Sequence, residues 1–328
     1  MNKKIIAIAI ASALTAPAAM ADMSITGQLG AALVFGDSNS VPTPTAGGFG
    51  LKQVATDSYR GMQDSGLSKL DFKGTAGNAY THIGMDIRGL MAGDVLSGRD
   101  LYLGYKFDAG SLQFGRMPSA LAGLEKDKYN ATFLEMRRTA AVASTKDTLT
   151  DSFTASPVIQ WAMKAGPANV KVQYDPGDNT TSTAAEGYTA ISVAGNAGPV
   201  AYFVGWNNGM GTEGVPANKD TNTKIGASMK FGAVKATLVI MNADNDGVKD
   251  DSKALLADMD LGSGLSAGIG YGTNKAKDTW TRLAVTKSLD KSVRIFGGLT
   301  SKKAGGAANR NGGTSAGTTF GAGMAIKF

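Results

Sequence analysis

The chain of 328 residues carries 33 Lys and Arg against 27 Asp and Glu, a single His, no Cys, 44 Gly and only 9 Pro. The absence of cysteine excludes disulfides, zinc–thiolate sites and cysteine nucleophiles, and charges of both signs without a large basic block argue against nucleic acid as a partner. Beyond the N-terminal region no stretch approaches the ~20 consecutive apolar residues of a membrane helix, so a membrane crossing by this chain has to be made by strands closed into a barrel.

Taken in order, Met1 to Lys4 is a short basic start, Ile5 to Leu14 is an apolar run broken only by Ser12, and Ala19-Met20-Ala21 is a small-x-small cleavage site. This is the pattern of a secretory signal peptide, residues 1–21, with cleavage expected before Asp22 and a single unit over 22–328. Loss of Lys3 and Lys4 lowers the net charge from +6 to +4.

From there strand-like segments recur to the end, at 23–36, 66–74, 79–91, 98–108, 110–117, 155–165, 168–175, 186–196, 198–208, 221–232, 233–244, 251–262, 263–274, 278–289, 291–301 and 316–328. Most match the ~9–11 residues with which a tilted strand crosses a bilayer, and their number, sixteen, is even. One set of connections is tight and rich in turn formers, among them Gly166-Pro167, Gly195 to Pro199 and Gly262-Ser-Gly264. The interleaved set is long and polar: Asp37 to Ser65, Met117 to Thr154, Asp175 to Ala185, Gly209 to Asp220 and Lys302 to Ser315. Short turns at one rim and long loops at the other are the asymmetry of a transmembrane barrel.

Alternation assigns the faces. Leu70 and Phe72 oppose Lys69, Asp71 and Lys73; Ile83, Met85 and Ile87 oppose His82, Gly84, Asp86 and Arg88; Ile225, Ala227, Met229 and Phe231 oppose Lys224, Ser228 and Lys230. In the last strand Phe320, Ala322, Met324, Ile326 and Phe328 share one face, with Gly321, Gly323, Ala325 and Lys327 on the other. A Lys or Arg turned to lipid at mid-bilayer costs ~2–4 kcal/mol, and a slip of one residue would turn all of these out. The charged faces therefore line an interior that holds water. Ala201 to Trp206 breaks the rule by being apolar on both faces, as do Val239 and Met241 at interior positions. Protein covering the wall, or a different register, would each account for them. Tyr102, Tyr105, Tyr271 and Trp280 fall near strand ends, where aromatics favour the membrane interface.

The run Leu112-Gln-Phe-Gly-Arg-Met-Pro118 ends the fifth strand and opens a long, charged third loop. Together with Ser24-Ile-Thr-Gly-Gln-Leu29 near the start and the terminal Phe328, it resembles the general Gram-negative porin family, nearest the neisserial type. The resemblance covers essentially the whole chain. It implies a homotrimer of sixteen-stranded all-β barrels in outer-membrane lipid, each narrowed by an inward-folded third loop, through which small hydrophilic solutes and ions diffuse. No cofactor, metal or reaction is expected from the residues of this sequence. By the resemblance the constriction draws on Arg116, Glu125, Lys126, Asp127, Lys128, Glu135, Arg137 and Arg138, faced from the wall by Lys69, Lys73, His82, Arg88, Lys106 and Arg294 and opposed by Asp71 and Asp86. From Arg116 to Asp147 six bases stand against four acids, a balance that favours a weak preference for anions.

Three other readings stay open on the sequence. A substrate-selective channel would show an aromatic ladder for sugars or a dense Arg/Lys cluster for anions. A barrel enzyme would have to use His82, beside a Ser and an acid at the lipid face; a hydrogen-bonded structural role is the expectation for that residue. An adhesive surface protein would use loops such as 37–65.

Overall fold

A computed structural model describes residues 22–37, 52–55, 58–64, 68–87, 97–122, 124–125, 158–175, 187–208, 221–245, 248–275, 277–303 and 317–328. The signal peptide expected at the N-terminus lies outside these residues. The described elements are all strands: β1 (Asp22–Asp37), β2 (Lys52–Ala55), β3 (Ser58–Asp64), β4 (Lys69–Ala76), β5 (Ala79–Asp86), β6 (Ser97–Phe107), β7 (Gly110–Arg116), β8 (Val158–Ala165), β9 (Ala168–Asp175), β10 (Tyr188–Ala197), β11 (Val200–Asn208), β12 (Thr221–Phe231), β13 (Val234–Asn245), β14 (Val248–Gly262), β15 (Leu265–Asn274), β16 (Thr279–Ser288), β17 (Val293–Lys303) and β18 (Gly317–Lys327).

All pair antiparallel in one sheet, and β18 returns to β1 to close it. On its other flank β1 pairs with β4 over Asp22–Gln28 and with β3 over Ala31–Asp37. β3 and β4 thus occupy one place in the wall, and β2 is a short partner of β3. The result is a closed sixteen-stranded barrel. The segment Ser58–Asp64, read from the sequence as part of a loop, is strand; its mixed polar composition carries no alternation strong enough to show it.

At one rim six hairpins turn in two residues, as between β4 and β5 or β8 and β9. Gly77, Gly166, Gly198 and Gly232 open four of these turns at φ between 57° and 61°, the first central position of the tight turns whose twist suits a hairpin. At the other rim lie the longer connections, although β13 and β14 meet there through Asp246-Gly247 alone.

The faces follow the predicted alternation. Leu101, Leu103, Phe107, Ile159, Val204, Ile225, Leu255, Leu283 and Met324 are exposed on the outside, a belt that only lipid or another subunit can cover without aggregation. The seam is finished from the end of the chain. Gly27 and Phe328 exchange backbone hydrogen bonds of 2.8 and 3.0 Å, and the Phe328 ring lies where a side chain on Gly27 would be. Phe35 and Phe320 stack across the same seam with centroids 5.3 Å apart. Tyr105 and Tyr271 lie on the outer face, but Trp280 and Tyr102 do not: Trp280 is buried, and Tyr102 stands on the inner wall.

Candidate functional site: the channel lining

The inner face divides into a part that meets protein and a part that meets water. The first is organised by the foot of the third loop, 117–125, which turns inward at the end of β7. Met117, Ala120 and Leu121 are buried against Val158 and Ala190 of the wall. Gly205 makes the close approach possible, because a Cβ there would stand 2.8 Å from Leu121 Cγ and 2.9 Å from Leu124 Cδ1.

A row of amides ties the foot down. Gln113, Gln160 and Gln173 are level on β7, β8 and β9, and the same row continues through Ala190 to Asn207 and Asn222. Gln173 accepts from the Ala120 N–H at 2.7 Å and donates to the Pro118 carbonyl at 2.8 Å and to Gln160 at 2.9 Å; Gln160 in turn donates to Gln113. Each such bond contributes about 0.5–1.5 kcal/mol net, and more is lost if one buried partner is removed.

The foot ends on a sealed ion pair. Lys224 Nζ lies 2.6 Å from Glu125 Oε1, with both side chains fully buried, and also donates to the Leu121 carbonyl at 3.5 Å. Glu125, expected in the throat, is therefore an anchor rather than part of a water-filled lining. Beyond it an apolar patch crosses the inner wall through Phe203, Val239, Met241, Ala254, Leu256, Ala284, Phe296, Ala325, Ala32 and Val34, with Leu124 packed against it. The apolar interior positions of β11 and β13 are thus inward-facing and covered by protein, one of the two explanations left open by the sequence.

The second part is the wall of β4, β5 and β6. Lys69, Asp71 and Lys73 project inward from β4 in register with Asp86, Gly84 and His82 of β5, and the row through Gly84 continues to Asp100 of β6. Asp71 binds Lys69 through Oδ2 at 2.8 Å and His82 Nε2 through Oδ1 at 3.0 Å. The other ring nitrogen, Nδ1, lies 3.1 Å from the Tyr102 hydroxyl. His82 is held on both sides. Lys106 lies over the Tyr80 ring at 5.6 Å, a cation–π contact, and that ring fills the space above Gly104.

Of the sequence candidates, Lys69, Asp71, Lys73, His82, Asp86 and Lys106 are gathered on this one wall, and Arg294 stands inward on β17 level with Ala325. Arg116 corrects the expectation: the ladder seats it opposite Leu101, in the outward row at the loop end of β7. Strict alternation from Gln113 already implied this, but the loop motif around it drew it into the throat. Arg88, Lys126, Asp127, Lys128, Glu135, Arg137 and Arg138 lie outside the described residues. Sequence reasoning missed Asp100, Tyr102 and the amide row as site residues. The signal for the amides was present, since Gln113, Gln160 and Gln173 each sit between two apolar neighbours on successive strands.

A family model for the Gram-negative porin matches residues 7–323. The chain belongs to the Gram-negative porin family. It is an outer-membrane β-barrel that forms a channel. Among solved structures this porin is similar in fold to the anion-selective porin from Comamonas acidovorans, at 18% identity and TM-score 0.73 over 94% of this chain and 99% of that one. It is also similar to in-vitro folded OmpT of Vibrio cholerae, at 15% identity and TM-score 0.65 over 95% of this chain and 100% of that one. A trimer form of that OmpT aligns at 15% identity with TM-score 0.64, over 94% and 99% of the two chains. No match was found among curated protein sequences.

Proposed function

We propose that the channel is a passive, general one: small hydrophilic solutes and ions diffuse through it without a reaction, and anions pass somewhat more readily than cations. The observation that carries the preference is how the two signs of charge are presented. Asp71, Asp86, Asp100, Asp175 and Asp258 of the inner wall are each at most 9% exposed. Lys73, Lys106, Lys171 and Lys230, on the same inner face, are exposed. Around these positions the lysines reach the water more than the five carboxylates do, which biases the local potential positive. The Comamonas acidovorans relative, described as anion-selective, agrees with this direction.

On the described wall of β4 to β6 the lysines alternate with Asp71, Asp86 and Asp100 and with His82, which is not a dense cationic cluster. That favours a general channel over one dedicated to phosphate or dicarboxylates. The exposed apolar outer face and the trimer form of the Vibrio cholerae protein support a homotrimer. Single-channel recording of the folded protein in a planar bilayer under a salt gradient tests the reading. Conductance steps grouped in threes with a modest reversal potential of anion-selective sign are expected; inserted barrels that pass no current, or a cation-selective potential, would overturn it.

A further inference from the structure

We propose that Asp71, His82 and Asp100 form a binding site for a divalent transition-metal ion on the inner wall, and that its occupation shifts the channel further toward anions. One ligand atom from each residue, a ring nitrogen and two carboxylate oxygens, lies within 4.8 Å of the other two. They come from three adjacent strands. Asp71, Gly84 and Asp100 form one row across β4, β5 and β6, with His82 in the next row toward the turns.

Gly84 is what lets the two carboxylates converge. A Cβ on it would stand 2.7 Å from Asp100 Oδ2, so any other residue would displace the Asp100 carboxylate from its place. The ring is oriented from behind by the Tyr102 hydroxyl at Nδ1, as metal-ligating histidines commonly are. Facing a carboxylate oxygen at 3.0 Å, the metal-free ring carries its proton on Nε2; in the metal-bound ring the proton sits on Nδ1, donated to Tyr102, and Nε2 gives its lone pair to the ion. Lys69 holds the other oxygen of Asp71, which keeps Oδ1 turned toward the ring.

The donor set selects the class of ion. One imidazole with two carboxylates suits zinc and its neighbours, whereas calcium and magnesium favour all-oxygen shells. Bonds of about 2.0–2.2 Å to nitrogen and oxygen separate the ligands of such an ion by roughly 3–4 Å, so the observed cluster closes on it with shifts of about an ångström or less. A fourth ligand such as water would complete the shell of such an ion. A bound dication adds two positive charges to a nearly sealed cluster in which Lys69 already offsets one carboxylate, beside the exposed Lys73.

The ion-preference half of this proposal rests on the channel reading; the binding half does not, and the two are measured separately. Zinc binding to the detergent-folded protein is followed by titration calorimetry, with folding checked by heat-modifiable gel mobility. One Zn2+ per chain is expected, weakened at least about tenfold by Asp100→Asn and by His82→Gln. Binding absent from the wild type, or unchanged in the two folded variants, would overturn the site; if Asp100→Asn fails to fold, His82→Gln decides alone. In bilayers, micromolar Zn2+ is expected to move the reversal potential toward anions in the wild type and not in His82→Gln. Stoichiometric binding with an unmoved potential would overturn the coupling, and a protein that binds zinc but carries no current would sink the channel reading while leaving the site standing.

Discussion

Two lysine–carboxylate pairs stand on the inner wall of the same barrel and are nearly the same length: Lys69–Asp71 at 2.8 Å and Lys224–Glu125 at 2.6 Å. Lys69 keeps 35% of its side chain exposed, and Lys224 none. The first belongs to a wall that water wets; the second is shut under the foot of the third loop. An inward direction fixed by alternation therefore says on which side of the wall a charge lies, and nothing about the medium it meets. What decides the energetics is whether the loop reaches it. The barrel is a water channel where the wall is open and has a protein core where the loop lies against it.

Removing one partner of the sealed pair is the largest test of that division. Lys224→Ala leaves Glu125 buried without its cation and is expected to cost about 3–5 kcal/mol, read as a fall in the urea midpoint of the membrane-folded protein. Lys224→Met combined with Glu125→Gln should recover most of the loss, since neither charge is then stranded. A single variant as stable as the wild type would mean that water reaches Glu125 and that the foot is not sealed.

A second test acts on the contact and not on charge. Gly205→Val places side-chain atoms where Leu121 and Leu124 now rest, an overpacking expected to cost about 1–3 kcal/mol. The foot should lift from the wall and the conductance per channel should rise or become unsteady. Unchanged conductance with unchanged stability would show that the foot does not set the opening.

On the open wall the expected effect is electrical. Lys73→Glu should leave stability within about 0.5 kcal/mol, as for an exposed surface change, while the anion-to-cation permeability ratio falls by roughly twofold. Reversal potentials in a salt gradient measure this directly. A fall in stability without a change in selectivity would place Lys73 in the packed region instead.

This division also marks what the sequence could and could not disclose. Phe320 to Phe328, and Ile225 against Lys224, alternate cleanly because the lipid side tolerates no charge, so the faces, the sixteen-stranded barrel and the inward direction of Lys69, Asp71, Lys73, His82 and Asp86 were legible in the sequence. The same alternation placed Lys224 inward, but its partner Glu125 comes from a distant loop whose path no periodicity encodes. Phe203, Val239 and Met241 looked like violations for the same reason: their inward faces obey the barrel only once the wall is known to be covered. Asp100 and Tyr102 went unremarked as site residues because their roles arise from register across β4, β5 and β6, which a one-dimensional pattern does not fix.

The smallest predicted effect closes the comparison. Lys69 keeps its ammonium group partly in water although Asp71 is nearly sealed, so the Coulombic gain is partly screened and Lys69→Met is expected to cost about 1 kcal/mol. Asp71 complicates the reading, since its other oxygen holds His82. Asp71→Asn keeps a carbonyl oxygen to face that ring, so a double-mutant cycle of Lys69→Met with Asp71→Asn isolates the ion pair from the histidine contact. The coupling energy from urea unfolding should be well under that of the Lys224–Glu125 cycle. Equal couplings at the two sites would mean that the wall of β4 to β6 is as dry as the pocket beneath the loop, and the distinction between an open and a covered inner face would fail.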